Sequence, residues 1–161
     1  MSNTLTLKRL ALLVGCIALA FLAAGIGSLF TAAEIPTWYA ALQKPSFNPP
    51  NWVFGPVWTV LYLLQGIALY LVISAKEKNT RLAVAVFMVQ LVFNTLWSIV
   101  FFGAHQVEWA LIVIGMLLVL IFATIRVFHE VSPLAGRLLW PYAAWVSFAT
   151  VLNIGIIVVN K

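Results

Sequence analysis

WYAALQKPSFNPPNWVFGPVWTVLY, residues 38–62, joins the first long apolar run of the chain to the second. It carries four of the seven prolines, three of the seven tryptophans and two of the four tyrosines. Pro45, Pro49 and Pro50 lack the backbone donors of a regular helix, so a stiff, extended segment is predicted. It is too apolar for an ordinary solvated loop. After Asn51 come Trp52, Phe54, Trp58 and Tyr62, and proline is tolerated in a helix's first turn, so a second helix is predicted to start here. A rigid aromatic lid feeding an aromatic helix outlines a binding site.

Composition places that lid in a membrane. Of 161 residues, 64% are hydrophobic and 8% charged, and the mean hydropathy is +1.08. A soluble domain carries roughly 25% charged residues. The net charge of +5 is not a nucleic-acid signal, because the basic residues sit in short loops and at the chain ends, where they set topology. No nucleic-acid partner is expected. The single cysteine, Cys16, excludes a disulfide or a cysteine zinc site within one chain and reads as a small embedded hydrophobe.

Five spans emerge, near Leu10–Phe30, Trp52–Ala75, Leu82–Phe102, Trp109–Phe128 and Leu138–Val159. Each approaches the ~20 residues that cross ~30 Å of hydrocarbon as a helix. The first exceeds the ~7–15-residue apolar core of a signal peptide and is expected to be retained. The fold class is therefore an all-α membrane protein, one domain over residues 1–161, with five transmembrane helices and a long Pro/Trp-rich first loop closing a pocket. The connectors Lys76–Arg81, Gly103–Glu108 and His129–Arg137 are short, so neighbouring helices run antiparallel in one bundle. Five spans without an internal repeat do not make two inverted halves, which argues against a classical secondary transporter.

Lys8, Arg9, Lys76, Lys78, Arg81, Arg126 and Arg137 fall on one side, and only Lys44 and Lys161 on the other. The positive-inside rule then puts the N-terminus in the cytoplasm of a bacterial cell, in the inner membrane; the sequence does not by itself set aside an outer membrane. In the first span, Ala20-xxx-Ala24 and Ala23-xxx-Gly27 suit close packing within the bundle and a dimer seam equally well.

Three helical stripes follow from spacing. Trp58, Tyr62 and Gln65 share a face of the second span; Gln90, Asn94, Trp97 and Phe101 share one on the third; Tyr142, Trp145, Ala149 and Asn153 share one on the fifth. Pro56 is placed to bend the second span beside Trp58. Buried amides in hydrocarbon need partners, so Gln65, Gln90 and Asn94 face the interior, as interhelical glue or as part of a cavity. Trp58, Trp97 and Trp145 lie beside these polar groups and read as cavity-facing. Trp109 and Trp140, at span ends, read as interfacial anchors, and Trp38 and Trp52 fit either role. The fourth span, with Thr124 its clearest polar interior group, reads as lipid-facing or scaffold.

No Asp, Glu or His falls in a span interior, so ion-coupled transport lacks its usual ionisable groups. His105 and His129 lie in loops without a second ligand at metal spacing, and no nucleophile motif is present. No metal or cofactor is expected, and no acid–base catalytic residue stands out; indole is the one candidate reactive group. Walls of Trp, Tyr and Phe with two or three amides suit a large, flat, mostly apolar ligand, of which tetrapyrroles and sterols are the obvious classes.

The run Trp38-Tyr39-x-x-Leu42-x-Lys44-Pro45-x-x-x-Pro49-Pro50-x-Trp52-x-x-Gly55-Pro56-Val57-Trp58-x-x-Leu61-Tyr62 closely resembles the translocator protein/tryptophan-rich sensory protein family. So do Asn94-x-x-Trp97, Phe101-Phe102-Gly103-Ala104, Ser132-Pro133-Leu134-Ala135, and Pro141-Tyr142-x-x-Trp145 with Phe148-Ala149-Thr150-x-Leu152-Asn153. The match covers nearly the whole chain. The resemblance implies five transmembrane helices, a homodimer, and a pocket for porphyrins, sterol-like lipids and benzodiazepine-site ligands. It implies pocket positions Trp38, Trp58, Asn94, Trp97, Trp109, Trp145 and Ala149, to which the stripes add Tyr62 and Gln90. Some bacterial relatives are reported to degrade protoporphyrin in light, and their implicated tryptophans correspond to Trp58 and Trp145. Animal members carry a tyrosine where this chain has Ile154, which breaks the proposed cholesterol motif.

Overall fold

The computed structural model describes residues 2–161, with side chains described from Thr6 onward. Five stretches are long and apolar enough to cross a membrane: Thr6–Glu34, Asn51–Ala75, Thr80–Gly103, Val107–Val131 and Pro133–Val159. They are built from α1 (Ser2–Glu34), α3 (Phe54–Ala75), α4 (Thr80–Ser98), α5 (Val107–Val131), and α6 (Pro133–Leu138) followed by α7 (Trp140–Val159). A four-residue helix α2 (Trp38–Ala41) lies in the lid. In lipid a backbone must satisfy its own hydrogen bonds, which is why apolar runs of this length become helices.

The helices close into a ring. α1 packs on α3 and α4, α4 on α5, and α5 on α7. Ring contacts Trp58–Tyr142 and Phe54–Trp145 join α3 to α7. The seven basic residues that the topology argument grouped lie at the α1 start, the α3–α4 turn and the α5–α6 end, which alternation brings to one end of the bundle. α5 is scaffold rather than a lipid-facing spectator: Ile114, Leu117, Ile121, Thr124 and Phe128 are all buried.

Three boundaries differ from the reading of the sequence. α1 continues to Glu34, so the lid shrinks to residues 35–50. The connector expected over His129–Arg137 is helical except at Ser132, because Pro133 opens α6, as proline does well at a helix start. The expected bend at Pro56 is unnecessary for hydrogen bonding: a 3₁₀ turn, Asn51–Val53, leads into α3, and Pro56 occupies the first turn, where no N–H is required.

The third span ends in a feature with no sequence signal. Ile99–Gly103 widens into a π-turn, closed by Ala104 N–H donating to Ile99 O (2.8 Å). Phe101 and Phe102, two consecutive residues of this turn, are both buried. Gly103 lets the ring of Phe30 approach; a Cβ there would lie 2.8 Å from it.

Candidate functional site

A cavity of about 650 Å³ occupies the end of the bundle beneath the lid. Its aromatic walls are Trp52, Phe54 and Trp58 from the second span, Trp97, Phe101 and Phe102 from the third, and Trp145 from α7. Ile35 and Tyr39 from the lid, with Ala149 and Leu152 from α7, complete the enclosure. On the side between α1 and α3 the lining residues Gly25, Ser28, Gly55 and Thr59 are also exposed, so the cavity opens sideways toward lipid.

The polar floor is a single chain of hydrogen bonds linking three helices. The Tyr62 hydroxyl donates to Asn94 Oδ1. Asn94 Nδ2 donates to the Tyr142 hydroxyl (2.8 Å), which donates to Gln90 Oε1 (2.9 Å). Gln90 Nε2 then donates to Gln65 Oε1 (3.1 Å), leaving Gln65 Nε2 without a partner among the described residues. Such bonds average about 0.6 kcal/mol inside a membrane protein, so this chain fixes side-chain positions more than it holds the helices together. A second pair does the same for an indole: Trp97 Nε1 donates to Asn153 Oδ1 (3.3 Å), and Asn153 Nδ2 donates to Val107 O (3.0 Å).

Of the expected site residues, the structure brings Trp58, Tyr62, Asn94, Trp97, Trp145 and Ala149 to the cavity. Trp58 stacks on Tyr62 (centroids 5.4 Å, 28°) and meets Tyr142 edge-on (6.2 Å). Three residues lie elsewhere. Gln90 is one turn deeper, both ends of its amide taken by Tyr142 and Gln65, so it supports the floor without lining the cavity. Trp38 lies behind the wall, stacked on His105 and edge-on to Phe101 and Phe102. Trp109 is 64% exposed on the outside of α5 and does not reach the cavity. Its neighbour Ala110 takes the inward position, and one helical step of about 100° carries Trp109 out. Its exposed, span-end position is that of the interfacial anchor read from the sequence, away from the cavity lining.

Spacing did not reveal the α1 contribution. Phe21, Gly25 and Ser28 line the cavity, and among the small residues of α1 Gly27 packs against Ser98 of α4, where a Cβ would lie 3.2 Å from its Oγ. The small-residue pattern thus serves packing within the bundle and an open wall. Phe102, one position beyond the Gln90–Phe101 stripe, also lines the cavity.

The lid is fastened at several points. The Tyr39 hydroxyl donates to Asn48 Oδ1 (3.0 Å), and Lys44 Nζ sits 4.7 Å from the centre of the Tyr39 ring. Burial pushes the Tyr39 phenol above its ordinary range, with the Asn48 bond working the other way. Gln43 and Asn160 exchange two bonds: Gln43 N–H to Asn160 Oδ1 (3.0 Å) and Asn160 Nδ2 to Gln43 O (2.8 Å). Gly155 of α7 leaves room for Pro45 and Phe47, which a Cβ would meet at 2.9 and 3.2 Å.

Comparison with known proteins agrees with this architecture. Residues 16–159 match the model of the TspO/MBR family. The chain is 40% identical to the tryptophan-rich protein TspO of Archaeoglobus fulgidus over 155 residues, 96% of this chain and 97% of the relative. It is 45% identical to the human translocator protein over 131 residues, 80% and 78% of the two chains. Identity to the tryptophan-rich sensory protein of Cereibacter sphaeroides is 41% over 116 residues, 72% of each. With five membrane-crossing helices and matches of this extent, the chain is an integral, multi-pass membrane protein of the TspO/MBR family.

Proposed function

We propose that this protein is a membrane receptor or carrier that takes tetrapyrroles, such as protoporphyrin IX and haem precursors, into the cavity beneath the lid. Benzodiazepine-site-type hydrophobic ligands occupy the same space, and binding serves regulation or transport. The observation that carries this reading is the cavity itself: about 650 Å³, walled by Trp58, Trp97 and Trp145 and floored by Tyr62 and Asn94. Flat aromatic walls stack on a macrocycle, while the phenol and amide meet its polar edge. The relatives named translocator protein and tryptophan-rich sensory protein support a role in moving or sensing a ligand. The protein works as a homodimer in a bacterial inner membrane with its N-terminus cytoplasmic, which places the lid on the opposite side. Ile154 is 44% exposed on α7, outside the cavity lining, so a sterol-like lipid at that position would bind the outer surface.

The test is a dark titration of the detergent-solubilised protein with protoporphyrin IX, read by tryptophan fluorescence. Saturable quenching, weakened in Trp58→Phe and Trp145→Phe, is expected. Linear quenching that ignores both substitutions would mean partitioning into the micelle and would end the proposal. A second reading, light-dependent porphyrin degradation, is favoured by one observation: Trp58 and Trp145 both line the cavity. Illuminating the same samples separates the two. Loss of the pigment's absorbance that needs both light and these tryptophans marks an enzyme, and an unchanged spectrum marks a receptor or carrier.

A further inference from the structure

The wall of the cavity is not equally exposed all round. Every exposed residue in its lining belongs to α1 or to residues 51–59 of the second span. The lining residues from α4, the π-turn, α7 and the lid are buried or half-buried, the roof residues Ile35 and Tyr39 among them. The lid is also tied down, by Tyr39 to Asn48 and by the paired bonds of Gln43 and Asn160. On the far side of α3, Trp145 shuts the seam with α7. Its indole lines both the cavity and a shallow outer groove with Pro56, Val60 and Pro141, and it meets Phe54 edge-on at 5.8 Å.

Between α1 and α3 the helices part toward the lid. At their crossing, a Cβ on Gly66 would lie 2.6 Å from the Cα of Ile17. One turn nearer the lid, whole rings separate them: the centroids of Phe21 and Tyr62 are 6.1 Å apart. Nearer still, a Cβ on Gly25 or on Gly55 would meet nothing within 4 Å. The gap runs from Asn51 to Thr59, about 12 Å of helix, which places it in the lid-side half of a ~30 Å hydrocarbon layer. Its rim is dry. Ser28 Oγ donates to Gly25 O (2.8 Å) and Thr59 Oγ1 to Gly55 O (2.9 Å), so both hydroxyl hydrogens are spent within their own helices. Such a rim costs little in hydrocarbon, where unpaired donors would be expensive. Trp52, 75% exposed at the top of the gap, has the amphipathic ring that belongs at the headgroup boundary.

We infer that this gap is the entrance to the cavity, and that guests reach it from the lid-side half of the bilayer and not from water. The inference rests on the cavity being a ligand site, and it narrows the guests to molecules that dissolve in hydrocarbon. A gap between two helices is elongated along them, so a flat ring system passes edge-on. Charged substituents stay at headgroup level, beside Asn51 and Trp52, while the apolar edge leads.

The first test follows the route and needs no bound guest. A protein with Cys16→Ala and Ala149→Cys carries a single thiol, on the cavity wall, and is held in a phospholipid nanodisc. Its alkylation by N-phenylmaleimide, which dissolves in the bilayer, is timed with and without Gly25→Leu and Gly55→Leu together. Those side chains grow into open space and favour a helix over glycine, so the thermal midpoint stays within a few degrees. Filling the gap raises a steric barrier of the size that overpacking costs, so alkylation slows about tenfold. Ser28→Phe, at another exposed position on the rim, gives the same slowing independently. Asn160→Ala, which removes both bonds to Gln43, leaves the rate within about twofold. An alkylation rate indifferent to the filled gap overturns the entrance, as does one that rises severalfold in Asn160→Ala.

The second test uses protoporphyrin IX in the dark, with association and dissociation followed by tryptophan quenching. The filled gap slows both about tenfold and leaves the dissociation constant within about threefold, because an entrance sets rates and not affinity. Saturable binding with unchanged rates overturns the entrance. Failure of the porphyrin to bind saturably counts against the tetrapyrrole reading alone, and the alkylation ratio still decides the entrance.

Discussion

The two ends of this bundle use the same helices in opposite ways. Toward the basic end, small residues bring backbones together: Gly66 of α3 lies so close to α1 that a Cβ would sit 2.6 Å from the Cα of Ile17. Around it Ala68, Val72, Ala83 and Ile121 are buried, and Phe87 stacks on Phe128 at 5.5 Å. Toward the lid, facing positions carry Trp58, Trp97, Phe101 and Trp145, and the helices enclose space instead of filling it. With no hydrophobic effect between helices in lipid, close packing is what holds the bundle, so the closed end carries stability and the open end is free to hold a guest. Side-chain size, more than polarity, separates scaffold from site.

The comparison can be broken at four places. Gly66→Leu attacks the closed end and should have the largest effect, because its neighbour is backbone that cannot swing aside. A loss of at least about 1–3 kcal/mol is expected, seen as aggregation or a lowered thermal midpoint in detergent. A wild-type midpoint there would mean that α1 is only loosely tied to α3. Ala149→Phe acts on the open end alone. It should cut tetrapyrrole affinity about tenfold, near 1.4 kcal/mol, and leave the thermal midpoint within a few degrees. Asn94→Leu tests the floor that joins the two ends. It strands the Tyr62 hydroxyl and costs about 1 kcal/mol or more, with several-fold weaker binding and a bundle that remains folded. Collapse of that variant would make Asn94 structural glue. Smallest of all, Trp109→Phe should leave affinity within about twofold, or about 0.4 kcal/mol, since the indole faces away from the cavity.

Much of this was legible because helical spacing survives folding. Gln90, Asn94 and Phe101 are buried on one face as their spacing requires, and Tyr142 and Asn153 share the buried face of α7. Legibility failed where the period itself changes. The π-turn at Ile99–Gly103 has no signature in the residues that form it, although Phe101 and Phe102 both reach the wall. It failed again at the connector expected over His129–Arg137, where Pro133 opens α6, and in α1, where spacing gave no sign that Gly25 and Ser28 border the cavity's opening. His105 gave no sign at all. Its contacts, Glu34 and Trp38, are separated from it by 71 and 67 positions, and only the folded chain brings a carboxylate, an imidazole and an indole into line.

The hydrogen-bond chain from Tyr62 to Gln65 has one more consequence, for the membrane itself. All four bonds point the same way, from the cavity inward, through two phenols and three amides. A relay that conducts must hand a proton on at each station and then reset. An amide can do so only by becoming an imidic acid, which it resists, and no carboxylate or imidazole lies along the route to carry the charge. These five side chains therefore position hydrogen-bonding groups and do not relay a proton. Such a floor offers hydrogen bonds to a polar edge without supplying a proton path through these five side chains.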